Sequence, residues 1–382
     1  MPGLSLEQIE GVVDTLQSRH LAIHRDRCSR QRHRHSTCNR CLEACPTGAL
    51  TWDDGLEVDP ELCVQCGICS AACPTGAIEA LSPSHDELWV QTQKAAQERG
   101  WAGFVCSKAA VPPAGRQGLI EVSCLGRIDE ALLVGAGAYG ARSLWLVEGE
   151  CAGCPLARGR QLLDGVIARS EALLQAFGRS TEIMVGTDLP GELAAAGEQA
   201  GRGGVTRRGL FKTLVRETAR VGEATRVPQQ VEEEEPEIRV YSDGLPTALP
   251  EKRLLLVAAL EHMGRPAETR FQAGEGGLWA GLKFSSDCTA CQMCAYFCPT
   301  GALLKAEHEG RVGVVYQVSR CVNCHLCSDI CYQHAVLPLG EVDLGRIMDG
   351  DVELLCVRQA SSEPWRESNL ERTAKAIFES LA

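Results

Sequence analysis

Large aromatic side chains are scarce in this chain, at 5% of its 382 residues, so its cores must be built from Ala, Val, Leu and Ile. No run of about 18 apolar residues occurs, which excludes a membrane-spanning helix. An apolar leader is not expected either, since residues 5–21 pattern as an amphipathic helix. Positive charge is in deficit, since Asp and Glu outnumber Lys and Arg 50 to 38, for a net charge of −12. That balance argues against bulk nucleic-acid binding and suits a chain that docks onto other surfaces.

Cysteine, by contrast, is abundant, with 21 residues. Without a leader these thiols are expected in a reducing, cytoplasmic compartment, where repeated C-x-x-C spacing signals metal rather than disulfides. The spacing belongs to an internal repeat. Cys45-Pro46-Thr47-Gly48-Ala49-Leu50 recurs as Cys73-Pro74-Thr75-Gly76-Ala77-Ile78 and as Cys298-Pro299-Thr300-Gly301-Ala302-Leu303, with a degenerate copy at Cys331–Val336. Two pairs of repeats thus lie at residues 22–84 and 275–342.

Each repeat closes a cysteine run. Cys63, Cys66, Cys69 and Cys73 follow C-x2-C-x2-C-x3-C-P, as do Cys288, Cys291, Cys294 and Cys298. Cys321, Cys324, Cys327 and Cys331 keep the spacing, with Tyr332 in place of proline. Three thiolates so closely spaced wrap one [4Fe–4S] cube, and the fourth crosses to a second cube. Zinc sites use paired C-x-x-C at longer intervals. Crossing then predicts four sites: site 2 from Cys45, Cys63, Cys66 and Cys69; site 3 from Cys288, Cys291, Cys294 and Cys331; site 4 from Cys298, Cys321, Cys324 and Cys327; and site 1 from Cys38, Cys41 and Cys73 plus one more ligand. The position three residues before Cys38 is His35, so either His35 or Cys28 completes site 1, or the site keeps three cysteines and a labile iron. Thiolate is the commoner ligand, and Cys28 has no other task. Residues 24–35 hold five arginines and three histidines, a solvated basic loop that offsets cluster charge or docks an acidic partner.

Each pair of runs resembles the bacterial two-cluster ferredoxin family over about 60 residues. The resemblance implies a ferredoxin-like fold of two βαβ-type halves with one cluster near each end.

The middle of the chain patterns differently. Strand-like runs at Trp101–Val105, Leu119–Ser123, Ser143–Val147 and Thr181–Val185 alternate with helical stretches at 86–99, at Arg127–Val134 and from Pro155 to about Phe177. This predicts a parallel sheet with right-handed crossovers. Cys106, Cys124 and Cys151 then fall at the C-terminal ends of successive strands, the edge where open α/β sheets bind ligands, and Cys154 falls beside a helix N-terminus that favours thiolate. The words Val122-Ser-Cys124-Leu-Gly-Arg-Ile-Asp129 and Glu148-Gly-Glu-Cys151-Ala-Gly-Cys154 resemble the small iron–sulfur subunit of methyl-viologen-reducing hydrogenases and heterodisulfide-reductase-linked complexes, over residues 100–180. That resemblance implies a [2Fe–2S] or [4Fe–4S] centre on Cys106, Cys124, Cys151 and Cys154, with structural thiols or zinc as the plainer account. It also implies partners such as a hydrogenase, formate dehydrogenase or heterodisulfide-reductase-like subunit.

Other features have simpler explanations. Gly135-Ala-Gly137-Ala-Tyr-Gly140 spells a dinucleotide fingerprint but follows a helical stretch and precedes a strand, so it is expected to end a helix, without NAD or flavin. Thr206–Lys212 looks like a twin-arginine signal but lacks an apolar segment after it. Cys356 is expected as a buried core thiol. The predicted architecture is therefore α+β and α/β multidomain, with two ferredoxin-like dicluster modules flanking a small parallel-sheet α/β domain. Its divisions are an N-terminal helix (1–21), module 1 (22–84), the α/β domain (85–186), a linker with a helix (187–250), module 2 (251–345) and a tail or helix (346–382). The functional expectation is an electron-relay subunit or adaptor. The alternatives are an oxidoreductase with the central cysteines as its catalytic site, or a redox-sensing or assembly factor.

Overall fold

The computed structural model describes residues 20–188, 238–272 and 277–359. The helices expected over 5–21 and 206–222, the glutamate run at 231–236 and the tail beyond 359 lie outside the described residues.

The first unit is closed by β1 (Leu21–Ile23) pairing antiparallel with β4 (Ile78–Ala80), Leu21 opposite Ala80. Between them come three one-turn helices, α1 (Ser29–Arg32), α2 (Arg40–Ala44) and α3 (Ile68–Ala72), and a hairpin of β2 (Leu50–Trp52) with β3 (Leu56–Val58). The backbone repeats as the sequence does. Gly48, Gly76 and Gly301, each three residues after the last cysteine of a run, take φ of +69°, +64° and +67°. His334 holds the same place in the degenerate copy with φ +50°. The residues flanking the middle cysteine of each full C-x2-C-x2-C run also turn left-handed: Gln65 and Gly67, Ala290 and Gln292, Asn323 and His325. Two such turns coil the chain and aim backbone N–H groups inward. Thr37 and Asn39, which flank Cys38, do not adopt this conformation, so the first run is not coiled like the other three.

The middle of the chain forms the predicted parallel sheet. After α4 (His85–Arg99), β5 (Trp101–Cys106), β6 (Ile120–Val122), β7 (Ser143–Val147) and β8 (Glu182–Gly186) align in the order β6-β5-β7-β8, every pair parallel. All six residues of β5 are buried, as expected of a strand covered on both faces. Two helix boundaries differ from the sequence expectation. Arg127 ends a single 3-10 turn, and α5 spans Glu130–Ala138 because the Asp129 carboxylate caps it, accepting from the Leu132 N–H at 3.2 Å. The next helix, α6 (Arg158–Ala176), starts three residues after Pro155, since residues 151–157 are occupied by turns in which Cys154 N–H bonds Cys151 C=O and Ala157 N–H bonds Cys154 C=O. Two of the three fingerprint glycines lie inside α5, and Gly140 follows its end with φ +106°: a Cβ on Gly135 would stand 2.2 Å from the Trp89 ring, and one on Gly137 2.5 Å from Leu174. They allow close helix packing.

The second unit begins with β9 (Arg239–Tyr241) and α7 (Glu251–Met263), whose Leu256, Ala259 and Leu260 join the core of the central domain. Then follow β10 (Arg270–Gln272), β11 (Gly281–Phe284), α8 (Met293–Tyr296), β12 (Leu303–His308), β13 (Arg311–Gln317), α9 (Leu326–Asp329), β14 (Val336–Leu339), β15 (Glu341–Asp343), α10 (Leu344–Asp349) and β16 (Val352–Gln359). The largest sheet is antiparallel, β16-β13-β12-β9. The described part of the tail therefore contributes a strand, β16, after the short helix α10. Among the described residues no helix is long and apolar enough to cross a membrane.

Candidate metal centres

Three of the four predicted thiol sets each line one cavity. Cys45, Cys63, Cys66 and Cys69 surround the first; Cys288, Cys291, Cys294 and Cys331 the second; Cys298, Cys321, Cys324 and Cys327 the third. No Asp or Glu lines any of them. In each set the thiols come from a coiled run plus a cysteine of its partner run, the last of which follows a short helix and turns its amide back onto that helix, as Cys45 does onto Cys41 C=O. Sulfurs are also met by backbone N–H groups: Ala290 to Cys288 and Asn323 to Cys321, each at 3.4 Å, and Ala335 to Cys331 at 3.3 Å.

Site 1 gathers around Cys73, which receives the Ala77 N–H at 3.3 Å. Burial raises the thiol pKa of Cys28 and of Cys38, and a Cys73 thiolate raises both further. Cys41 is pushed up to about 12 by burial, then by Cys73, Cys38 and Cys28. These four sulfurs therefore share one neighbourhood. His35 does not share it: it is exposed, its backbone N–H donates to His33 Nδ1 at 3.2 Å, and its ring lies 5.3 Å from that of His33.

The donor chemistry fits iron–sulfur cubes. Among the described residues no three His, Cys, Asp or Glu side chains converge closely enough for a single metal ion. Sets of four thiols around one cavity, with no carboxylate in the lining, are the donor set of such a cluster. Burial, then neighbouring cysteines, raise Cys66 and Cys69 at site 2 and drive Cys294 and Cys327 far above the ordinary thiol value. A bound metal reverses that, since thiols ligate only as thiolates and lose their protons on binding.

In the central domain Cys106 and Cys124 are buried and Cys151 and Cys154 half-buried. Cys124 is pushed up to about 11 by burial, then by Cys106, Cys66 and Cys151. Cys154 accepts from the Leu156 N–H at 3.4 Å and lies 3.7 Å from Lys108 Nζ; α6 itself begins farther on. Gly126 is required here. A Cβ on it would lie 2.4 Å from Gly159 Cα, where the turn after Cys124 crosses the start of α6.

Sequence reasoning missed several basic residues that tie the units together, because each looked like an ordinary surface cation. Arg127, 6% exposed, reaches from the central domain to the Ser82 and Pro83 carbonyls and sets its charge beside Cys69 and Cys66. Lys252 Nζ donates to Ser70 and Ala71 carbonyls at 3.1 and 2.7 Å. The basic loop is only partly solvated: Arg34 and His35 are exposed, whereas Arg32 is buried and donates to the Phe297 carbonyl at 3.3 Å and to that of Pro246. Thr37 N–H and hydroxyl both bond Asp329, and Arg40 bonds the Asn323 carbonyl at 3.0 Å. Cys356 is not a core thiol either. It is half-buried on β16, and a hydrogen bond with Cys288 pulls it down to about 7.

Comparison with known proteins adds one finding. A family model described as a 4Fe-4S dicluster domain matches residues 36–77, the stretch that holds Cys38 to Cys73. No curated protein and no solved structure matches the chain.

Proposed function

We propose that this chain holds four [4Fe–4S] clusters at sites 1 to 4 and relays electrons, as a subunit or adaptor, between a redox enzyme and a second carrier. The observation that supports this most is the lining of the three cavities: each gathers the four thiols that the crossed ferredoxin pattern demands. The second pair of runs is read as a second ferredoxin-like module because its backbone repeats the left-handed turns of the first. Cys28 is assigned to site 1 because it, Cys38 and Cys41 all feel Cys73. Cys106, Cys124, Cys151 and Cys154 are assigned to a fifth centre. Each cluster, when bound, takes up and gives back one electron.

The thiol sets form a row. The central set meets site 2 where Cys124, Cys154 and Cys66 share one packed cluster with Ile68 and Leu156. Site 2 meets site 1 through Cys69 and Cys41, site 1 meets site 4 across the joint made by Arg32, and site 4 meets site 3 through Cys298 and Cys294. At one end Cys151 and Cys154 are half-exposed; at the other, Met293 and Tyr332 of the site 3 cavity are exposed. Partners of the hydrogenase, formate dehydrogenase or heterodisulfide-reductase type are proposed to dock at these ends. Anaerobic iron and sulfide analysis tests the reading. About sixteen irons are expected, with about two to four more from the central site, and a value near eight would refute it.

A further inference from the structure

We propose that site 4 is the most easily reduced of the four cluster sites, held so by three arginines that converge on it, one of them supplied by the first unit. The inference rests on the functional reading above and adds an electron-holding point in the middle of the row.

The arginines come from three separate parts of the chain. Arg32, on α1, is 9% exposed; its Nη1 lies 3.3 Å from the Phe297 carbonyl and 3.5 Å from that of Cys298, and its Nε donates to the Asp26 backbone carbonyl at 2.7 Å. Arg253, on α7, is 5% exposed, sits 4.4 Å above the Trp279 ring and donates to the Leu278 carbonyl. Its Nη1 is buried without a hydrogen-bond partner, and of the charges around it Cys321 acts most strongly. Arg320 donates from Nε to the Thr300 carbonyl at 3.0 Å, with its charge beside Cys298. One hydroxyl adds to these: buried Ser29, also from α1, lies beside Cys324. Tyr316 lines the cavity too, but its hydroxyl donates to the Ala280 carbonyl.

Among the described residues no other site is served this way. Arg127 is the buried cation at site 2. Site 1 has the half-buried Arg30 and Arg40, and site 3 the exposed Arg358. Reduction adds one negative charge to a cluster, and a fixed cation in a dry setting stabilises that charge far more than one in water. Burial alone acts the other way, because it disfavours added charge. Cys324 and Cys327 are half-buried, and desolvation raises both thiols, so the three cations must outweigh that effect. The orphaned Nη1 of Arg253 supports this, since a buried guanidinium N–H without a partner is costly unless an acceptor stands before it.

The test is an EPR-monitored redox titration of the anaerobic holoprotein, with dithionite as the one-electron donor. Cys321→Ser marks site 4 by altering the g-values of one centre, and that centre should have the highest midpoint in the parent protein. Arg32→Gln should lower its midpoint so that, at a fixed potential, its reduced-to-oxidised ratio falls about tenfold, or roughly 59 mV for one electron. The other midpoints should stay in place, and Arg32→Lys should restore most of the loss, which packing alone would not achieve. Should Arg32→Gln loosen the fold, Arg320→Gln provides the same readout from within the second unit. An iron content too low for four cubes overturns the functional reading and this inference with it. A full complement whose highest-potential centre ignores both Cys321→Ser and the arginine variants overturns this inference alone.

Discussion

Replacing Cys28 with serine separates the two accounts of site 1. Cys28 lies in extended backbone at φ −71°, ψ 121°, immediately before α1. Its sulfur is near Cys73, Cys38 and Cys41 in a half-buried pocket, while His35 faces solvent. A serine hydroxyl is a poorer iron ligand than thiolate and seldom ionises in such a pocket. Cys28→Ser should therefore remove about four of about sixteen irons, or leave a three-iron centre that has lost one. Sites 2 to 4 share no ligand with Cys28, so their signals should persist. His35→Ala removes an exposed ring and should leave iron content unchanged. The assay is iron and sulfide content of anaerobically purified protein, with EPR of the oxidised sample to detect a three-iron centre. Iron lost in His35→Ala and retained in Cys28→Ser would refute the assignment and make histidine the fourth ligand.

Two further outcomes test other parts of the molecule. Replacing Cys124 and Cys154 together with serine should abolish one spectroscopic centre while the four cubes remain; an unchanged EPR spectrum and iron content would rule out a fifth centre. The buried pair of His85 Nε2 and Asp129 at 2.8 Å should make stability depend on pH. Burial lowers the His85 pKa, but the Asp129 charge and hydrogen bond outweigh it and the net shift is upward; burial raises that of Asp129, and His85 pulls it below its ordinary value. The His85 contribution is complete below its ordinary pKa of 6.5 and is lost as pH rises through the raised value; that of Asp129 is complete above 3.8 and is lost on acidification. Asp129→Asn should therefore cost about 3–5 kcal/mol between these limits and less at pH 9, as measured by thermal unfolding; an equal cost at both pH values would show that the capping role alone matters.

The cysteine runs were legible in the sequence because they are local: three thiols within seven residues fix one backbone coil wherever they occur. The parallel sheet was legible as well, since β5 and β7 are apolar runs flanked by helical stretches. The joint between the two units could not be read. It depends on Arg32 meeting carbonyls some 265 residues away, and nothing near Arg32 distinguishes it from exposed Arg34. The start of α6 was misplaced for a related reason. Pro155 is suited to a helix start, but the turn that delivers Cys151 and Cys154 occupies those residues. Cys356 looked like a core residue because its neighbours on β16 are apolar, and only the pairing of β16 with β13 brings it beside Cys288.

The same joint governs when the molecule can be finished. A ribosome adding roughly 5–20 residues per second needs roughly 10–50 s to travel from Arg32 to Phe297. During that interval the first unit has been made, while the surface bearing Ser29, Arg32, Thr37 and Arg40 has nothing to close against. At the proposed site 1, Cys28 and Cys38 are thus open to approach early in synthesis, before Asp329 and Asn323 arrive to bond Thr37 and Arg40 on that side. Loading from the N-terminal end first is the order in which the lid does not stand in the way of the cargo.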